Sequence, residues 1–421
     1  MQRAIVPAMQ RLGLVIFLSC ADSFAAVLIS RGLYFYTEHL LGYTARDNLQ
    51  IALVMGAVYV AAALNSERLS KRLGERRQLK AIACVQLGCY ACMLFFPLPW
   101  VLVSAALVNN AMLGLKWPVV QSYLSAGRTP AEQASAIGRF NLSWAAVVPM
   151  SLLSAGPFVE FWPPGLYVTA LALGLMSLRC LSWFPSVPEH LPHDHPERLP
   201  ESSRRRLVAL LACSRWTMLT SYALIFLLNP LFPILFREMG LTPAWAAALA
   251  AGVDLTRFVT FAVLQHDDWW HDRAWPLVAA VLSMPLGFAM VRLGDHLAWV
   301  VLGEVIIGSA SGVSYFASLY YAMVVSNASV DAAGRHEAMI GSGVLIGPAG
   351  GLVSNLVAKA TGSVAVGAAA GVGPLVLAGV VLALRPLLGL GAVGGGEVGE
   401  EPEPEPVGGP YKLDTPRRPA A

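Results

Sequence analysis

Asp22 stands about ten residues into the apolar run 12–36. At about 1.5 Å of helical rise per residue it would lie ~15 Å inside a bilayer, near the midplane. An ionisable group there costs at least ~2.5 kcal/mol on insertion scales, so a carboxylate kept at that depth is a candidate for binding a proton or a substrate. The structural alternative is a carboxylate that only neutralises a neighbouring cation. Lys116 and Arg215 enter the runs 100–124 and 207–236 from opposite directions. Two cations at depth suit a solute with an anionic or polar oxygen group. Trp117 and Trp216 adjoin them, where a ring serves substrate contact and helix packing equally well. Asp254 and Arg257, three apart on one helix face, are expected to pair with each other. Arg31 is read as snorkelling outward, and Glu304 as reached by water near the end of its run.

Other clusters carry less. His266-Asp-Asp-Trp-Trp-His271-Asp272-Arg273 and His193-Asp194-His195 combine potential ligands without a metal-site spacing, and both are expected in solvent. Cys89 and Cys92 share a helix face with no second pair nearby and read as small packing residues. No metal, cofactor or catalytic residue is expected, and no phosphate-cradling Gly-rich loop marks ATP hydrolysis. The expectation is not an enzyme.

The elements that hold these residues follow from composition. Of 421 residues 56% are hydrophobic and 13% charged, and the mean hydropathy is +0.59. Such a chain cannot solvate a globule of its length and reads as a polytopic membrane protein. A net charge of +3 gives no reason to expect nucleic acid as a partner. Apolar runs at 12–36, 49–64, 79–96, 100–124, 134–156, 162–184, 207–236, 244–264, 275–293, 298–324, 338–359 and 364–388 predict twelve crossings, all helical because lipid leaves no other way to pair the backbone. The first run is long enough to span and is kept as a helix rather than a cleaved leader. Arg68, Lys71, Arg72, Arg76, Arg77 and Lys80 crowd one loop, whereas Pro97-Leu98-Pro99 and the turn 158–164 hold no basic residue. The positive-inside rule then puts both termini in the cytoplasm, with a plasma or inner membrane as the location.

The runs also repeat. Arg11-Leu12 matches Arg206-Leu207, Gly42-Tyr43-Thr44 matches Gly240-Leu241-Thr242, Trp100 matches Trp299 and Gly138-Arg139 matches Gly334-Arg335, offsets of about 195 to 199 positions. A duplicated six-helix unit is expected: residues 1–184 and 207–388 as two pseudo-symmetric bundles, 185–206 as a cytoplasmic connector, and 389–421 as a disordered tail.

NSERLSKRLGERR at 65–77 resembles the loop between the second and third helices of the major facilitator superfamily. Gly74, Arg76 and Arg77 match its pattern, while Glu67 replaces the first Gly and Lys71 the usual Asp. Gly341-Ser-Gly343 through Gly351 is similar to the superfamily's glycine-proline packing motif. The resemblance implies an all-α fold of twelve transmembrane helices, and a cavity lined by the first, fourth, seventh and tenth of them. That would gather Asp22, Lys116, Arg215, Ser311, Ser314, Tyr315 and Ser318. It also implies a gate near Glu67 and Lys71, with Arg139 and Arg335 opposite. The function expected is secondary active transport of a small solute by alternating access, with protons as the coupling ion and Asp22 as their site, in a monomer whose partners are solute, protons and lipid. The runner-up is a transporter-like sensor or assembly factor without flux, kept open by Lys71.

Overall fold

The computed structural model describes residues 8–125, 130–188, 201–326 and 330–391. It is all helical, in the order α1 (Ala8–Leu41), α2 (Ala45–Leu73), α3 (Glu75–Phe95), α4 (Pro99–Ser125), α5 (Pro130–Phe161), α6 (Pro164–Cys180), α7 (Glu201–Leu228), α8 (Phe232–Glu238), α9 (Pro243–Ala250), α10 (Gly252–His266), α11 (Trp275–Leu293), α12 (Leu297–Ser326), α13 (Val330–Thr361) and α14 (Val364–Gly391). Among the described residues, ten spans are long and apolar enough to cross a membrane. The other two crossings are α4, which carries Asn109, Asn110 and Lys116, and α6, only 17 residues long. The seventh crossing is broken into α7 and α8 at Asn229–Leu231, and the eighth into α9 and α10 at Ala251. Twelve crossings leave both ends of the described chain on one face, called here the terminal face.

The repeat has a backbone signature. Gly42 and Gly240 both adopt left-handed conformations, φ 67° and 80°, which a side chain would strain. Thr44 and Thr242 then open the next helices from extended backbone. The copies differ in how they cap. Thr44 and Asp47 form a reciprocal capping box, whereas Thr242 relies on Pro243 at the first helical position.

Helices α1–α6 pack on one another, as do α7–α14, and the two sets meet mainly where α2 lies along α13 and where α5 crosses α9 and α10. At Gly56, an added Cβ would sit 2.7 Å from the Val344 carbonyl, so α2 and α13 touch almost backbone to backbone. Away from the terminal face the apolar core is continuous through both sets, from Leu28, Leu33 and Leu152 to Leu228, Phe236 and Ala247. Toward the terminal face it narrows to a small cluster that joins Ala145 of α5 to Met218, Phe261, Tyr315 and Val344, and then it divides. One cluster is built on Leu12, Leu79, Val120 and Phe184, the other on Leu210, Leu264, Trp270 and Tyr321.

Candidate functional site

Asp22, on α1, lies 2.8 Å from the Lys116 ammonium of α4, and both are buried. Lys116 also donates to Gln86 Oε1 at 2.6 Å. Gln86 donates onward to Asn109 Oδ1 at 3.0 Å, which accepts from the Tyr90 hydroxyl at 3.1 Å. The pair therefore sits in a polar network built wholly by α1, α3 and α4. Lys116, fully buried, is charge-balanced by Asp22 rather than left open to an anionic solute.

A second buried carboxylate joins the two sets. Asp254 of α10 is 2.6 Å from Arg257 and is also paired with Arg31 of α1. Arg31 donates as well to the Ala250 carbonyl at 3.3 Å. Here the sequence reading needs correcting: Arg31 does not snorkel to water but is buried against the other half, because Asp254 offers a better partner than the interface. Glu304 is likewise buried, at 1% exposure, packed on Gly252 with one carboxylate oxygen lacking a hydrogen bond. Arg257 stacks 5.1 Å from the centre of the Trp144 ring.

Beyond Arg31 the same face carries further ties. Glu38 lies 2.6 Å from Arg237, and Glu160 accepts from the Ala244 backbone N–H at 2.9 Å, at the start of α9. Glu38, Glu160 and Arg237, with Phe35 and Thr242, line a small cavity of about 290 Å³.

Tyr315 sits among rings. Phe261 lies 5.4 Å away, Trp144 5.7 Å, Tyr222 6.2 Å and His336 4.9 Å, centre to centre. Ser314 is buried and donates to the Ser311 carbonyl at 3.1 Å, so its hydroxyl is spent within α12. Arg215 is half-buried and acts electrostatically on His336. Trp117 packs on the terminal-face cluster of the first set and Trp216 on that of the second.

The loop residues stay within their own set. Glu67 pairs with Lys71 one turn along α2 at 2.6 Å, both about three-quarters exposed. Gly74, at φ 79°, turns the chain into α3, Arg76 donates to the Phe184 carbonyl at 2.9 Å, and Arg77 and Arg139 are exposed. The side chain of Arg335 lies outside the described residues, as do His193–His195. The 266–273 segment is not simply solvated: Trp270 is buried, and His271 stacks on Tyr320 at 4.2 Å, where burial holds its imidazole below the ordinary pKa.

Sequence reasoning passed over Glu337. It lies on α13, just before the apolar run expected at 338–359. The structure buries it and gives it two partners from the first set: Gln121 Nε2 at 2.5 Å and the Tyr59 hydroxyl at 3.3 Å.

The described helices thus form two sets joined along one face, with buried charges at the seam. Residues 3–151 match the family model described as Major Facilitator Superfamily. The fold as a whole aligns with a solved structure from work on substrate recognition in proton-dependent oligopeptide transporters, at TM-score 0.65 and 15% identity, over 91% of this chain and 99% of that one. No curated protein matches the sequence. The family match lies in the first set of helices, and the fold likeness spans both.

Proposed function

We propose that this protein carries a small solute across a membrane by alternating access, driven by a proton gradient, with Asp22 and Lys116 as the coupling pair. Residues 1–184 and 207–388 are the moving bundles in this reading, joined by the connector 185–206, with 389–421 as a tail. The observation that carries it is the asymmetry between the faces. One apolar core runs through both sets on the side of Arg31 and Glu38, a smaller cluster around Phe261 and Tyr315 still takes Ala145 from the first set, and two separate cores lie nearest the termini. That is the arrangement of a transporter open toward its terminal face. The basic loop 68–80 supports placing this face in the cytoplasm of a plasma or inner membrane.

Coupling through Asp22 has a simple mechanics. A proton taken by the carboxylate removes the charge that holds Lys116, and Lys116 is left with Gln86. The network of α1, α3 and α4 loosens, and the two facing states change in relative stability by the difference in their proton affinity. Asp22→Asn in proteoliposomes is expected to abolish pH-gradient-driven uptake while solute exchange persists. Unchanged gradient-driven uptake would remove Asp22 from the mechanism. A protein that binds solute but shows no counterflow would instead be a sensor or assembly factor, the reading that the in-helix pairing of Glu67 with Lys71 keeps in play.

A further inference from the structure

Five carboxylates are buried among the described residues, of which Glu38 pairs with Arg237 and Glu304 lies against Gly252. Asp22 has Lys116, and Asp254 has Arg31 and Arg257. Glu337 is different. Among the described residues its partners are the Gln121 amide and the Tyr59 hydroxyl, both neutral and both from the opposite set. Two neutral donors satisfy a carboxylate's geometry but not its charge, and an uncompensated charge in a membrane interior is costly.

The surroundings suit a particular compensating group. The Glu337 charge acts on Tyr59, Tyr222 and Tyr315. Tyr315 is walled by Trp144 and Phe261. Tyr59, Gln121 and Trp144 keep part of their surface accessible although they lie between the two sets. The neighbouring His336 is buried with its Nε2 lacking a hydrogen bond, a second polar group awaiting a partner. A carboxylate beside aromatic faces attracts an alkylammonium twice, by charge and by the ring quadrupoles, and disfavours an anion on both counts. Of the basic side chains that would have suited an anion, Lys116 is committed to Asp22 and Arg257 to Asp254, while Arg215 is the cation that acts on His336.

We infer that Glu337 and the rings around Tyr315 form the recognition site for a protonated amine on the transported solute. This rests on the transporter reading and names the substrate class of its site. In the bound complex the ammonium takes the place of Gln121 or Tyr59 at the carboxylate. Because those donors come from the first set and Glu337 from the second, binding loosens a tie between the sets.

The test uses the purified full chain and three probes of one shape: 2-phenylethylamine, 2-phenylethanol and phenylacetate. At neutral pH the amine is expected to raise the melting temperature, and the alcohol and the acid are not. Glu337→Gln is expected to weaken the amine at least tenfold, about 1.4 kcal/mol, whereas Glu337→Asp keeps the preference for the cation. Equal stabilisation by amine and alcohol overturns the inference even if neither variant folds. So does Glu337→Gln binding the amine as the wild type does while losing proton-driven uptake, which would make Glu337 a proton site. Counterflow of labelled amine separates the two readings. Binding at Glu337 without counterflow sinks the transporter and spares the amine site; counterflow of phenylacetate without amine binding does the reverse.

Discussion

The two faces of this molecule solve the same problem in opposite ways. Away from the termini, the sets are joined by ion pairs and by one shared core: Arg31 with Asp254, Glu38 with Arg237, Glu160 with the start of α9. Toward the termini, each set keeps its own core, and Glu67 spends its charge on Lys71 of the same helix. There, among the described residues, the hydrogen bonds that cross between the sets both end on Glu337. The difference teaches that the basic loop, however conspicuous in sequence, is not what holds the sets together in this state. Buried charge far from it does so.

That comparison breaks most visibly at Asp254. Asp254→Asn leaves Arg31 and Arg257 facing each other without a counter-charge, and breaking a buried pair costs ~3–5 kcal/mol. Lower thermal stability is expected, together with faster labelling of a cysteine placed at Leu241. Labelling at the wild-type rate would mean that the ion pair does not close that face.

Asp22→Asn should cost toward the lower end of the same range, because Gln86 still accepts from Lys116. Its pair lies within one set, so labelling at Leu241 is expected to change less than in Asp254→Asn. The double variant Asp22→Leu with Lys116→Met removes both charges and is expected to recover most of the stability without restoring pH-gradient-driven uptake. If uptake returned, the pair would be structural.

A smaller effect is expected at Gly156, whose added Cβ would lie 2.5 Å from the Pro243 carbonyl across the seam. Gly156→Ala should push α5 from α9 at a cost of about 1–3 kcal/mol and raise labelling at Leu241 in proportion. Least of all is expected from Glu67→Gln. Its pair is exposed and local, so melting temperature and labelling should match the wild type, and a clear shift in either would return the basic loop to the gate.

Much of the fold was legible because hydrocarbon imposes it. Length and apolarity predict twelve helices without knowledge of any contact, and the repeated Gly and Thr at 42–44 and 240–242 mark equivalent turns. The break at Ala251 was not legible, since apolar residues run straight through it, whereas Asn229-Pro230 is a turn signal that the reading of 207–236 as one run passed over. For the site, depth alone singled out Asp22, Lys116, Asp254 and Arg257. It could not assign partners, because Asp22 meets Lys116 94 positions away and Asp254 meets Arg31 223 positions away. Arg31 was misread for that reason: a lone cation near a helix end looks bound for water until another helix supplies a carboxylate. Glu337 failed for a different one. A charge within two residues of an apolar run is indistinguishable from its polar border until the helix is seen to begin at Val330.

The contact of Gly56 with Val344 sets a lever. From Gly56 to Ser66 is ten residues of helix, an arm of ~15 Å. If the sets turn by about 15° around that contact, a rotation of the size seen between subunits in switching proteins, the arm's end sweeps ~4 Å. An ion pair as short as that of Glu38 and Arg237, 2.6 Å, would be carried out of range by such a sweep on its own face. A fulcrum this tight turns a small rotation into the making or breaking of whole charge contacts, so half-open states have little to hold them.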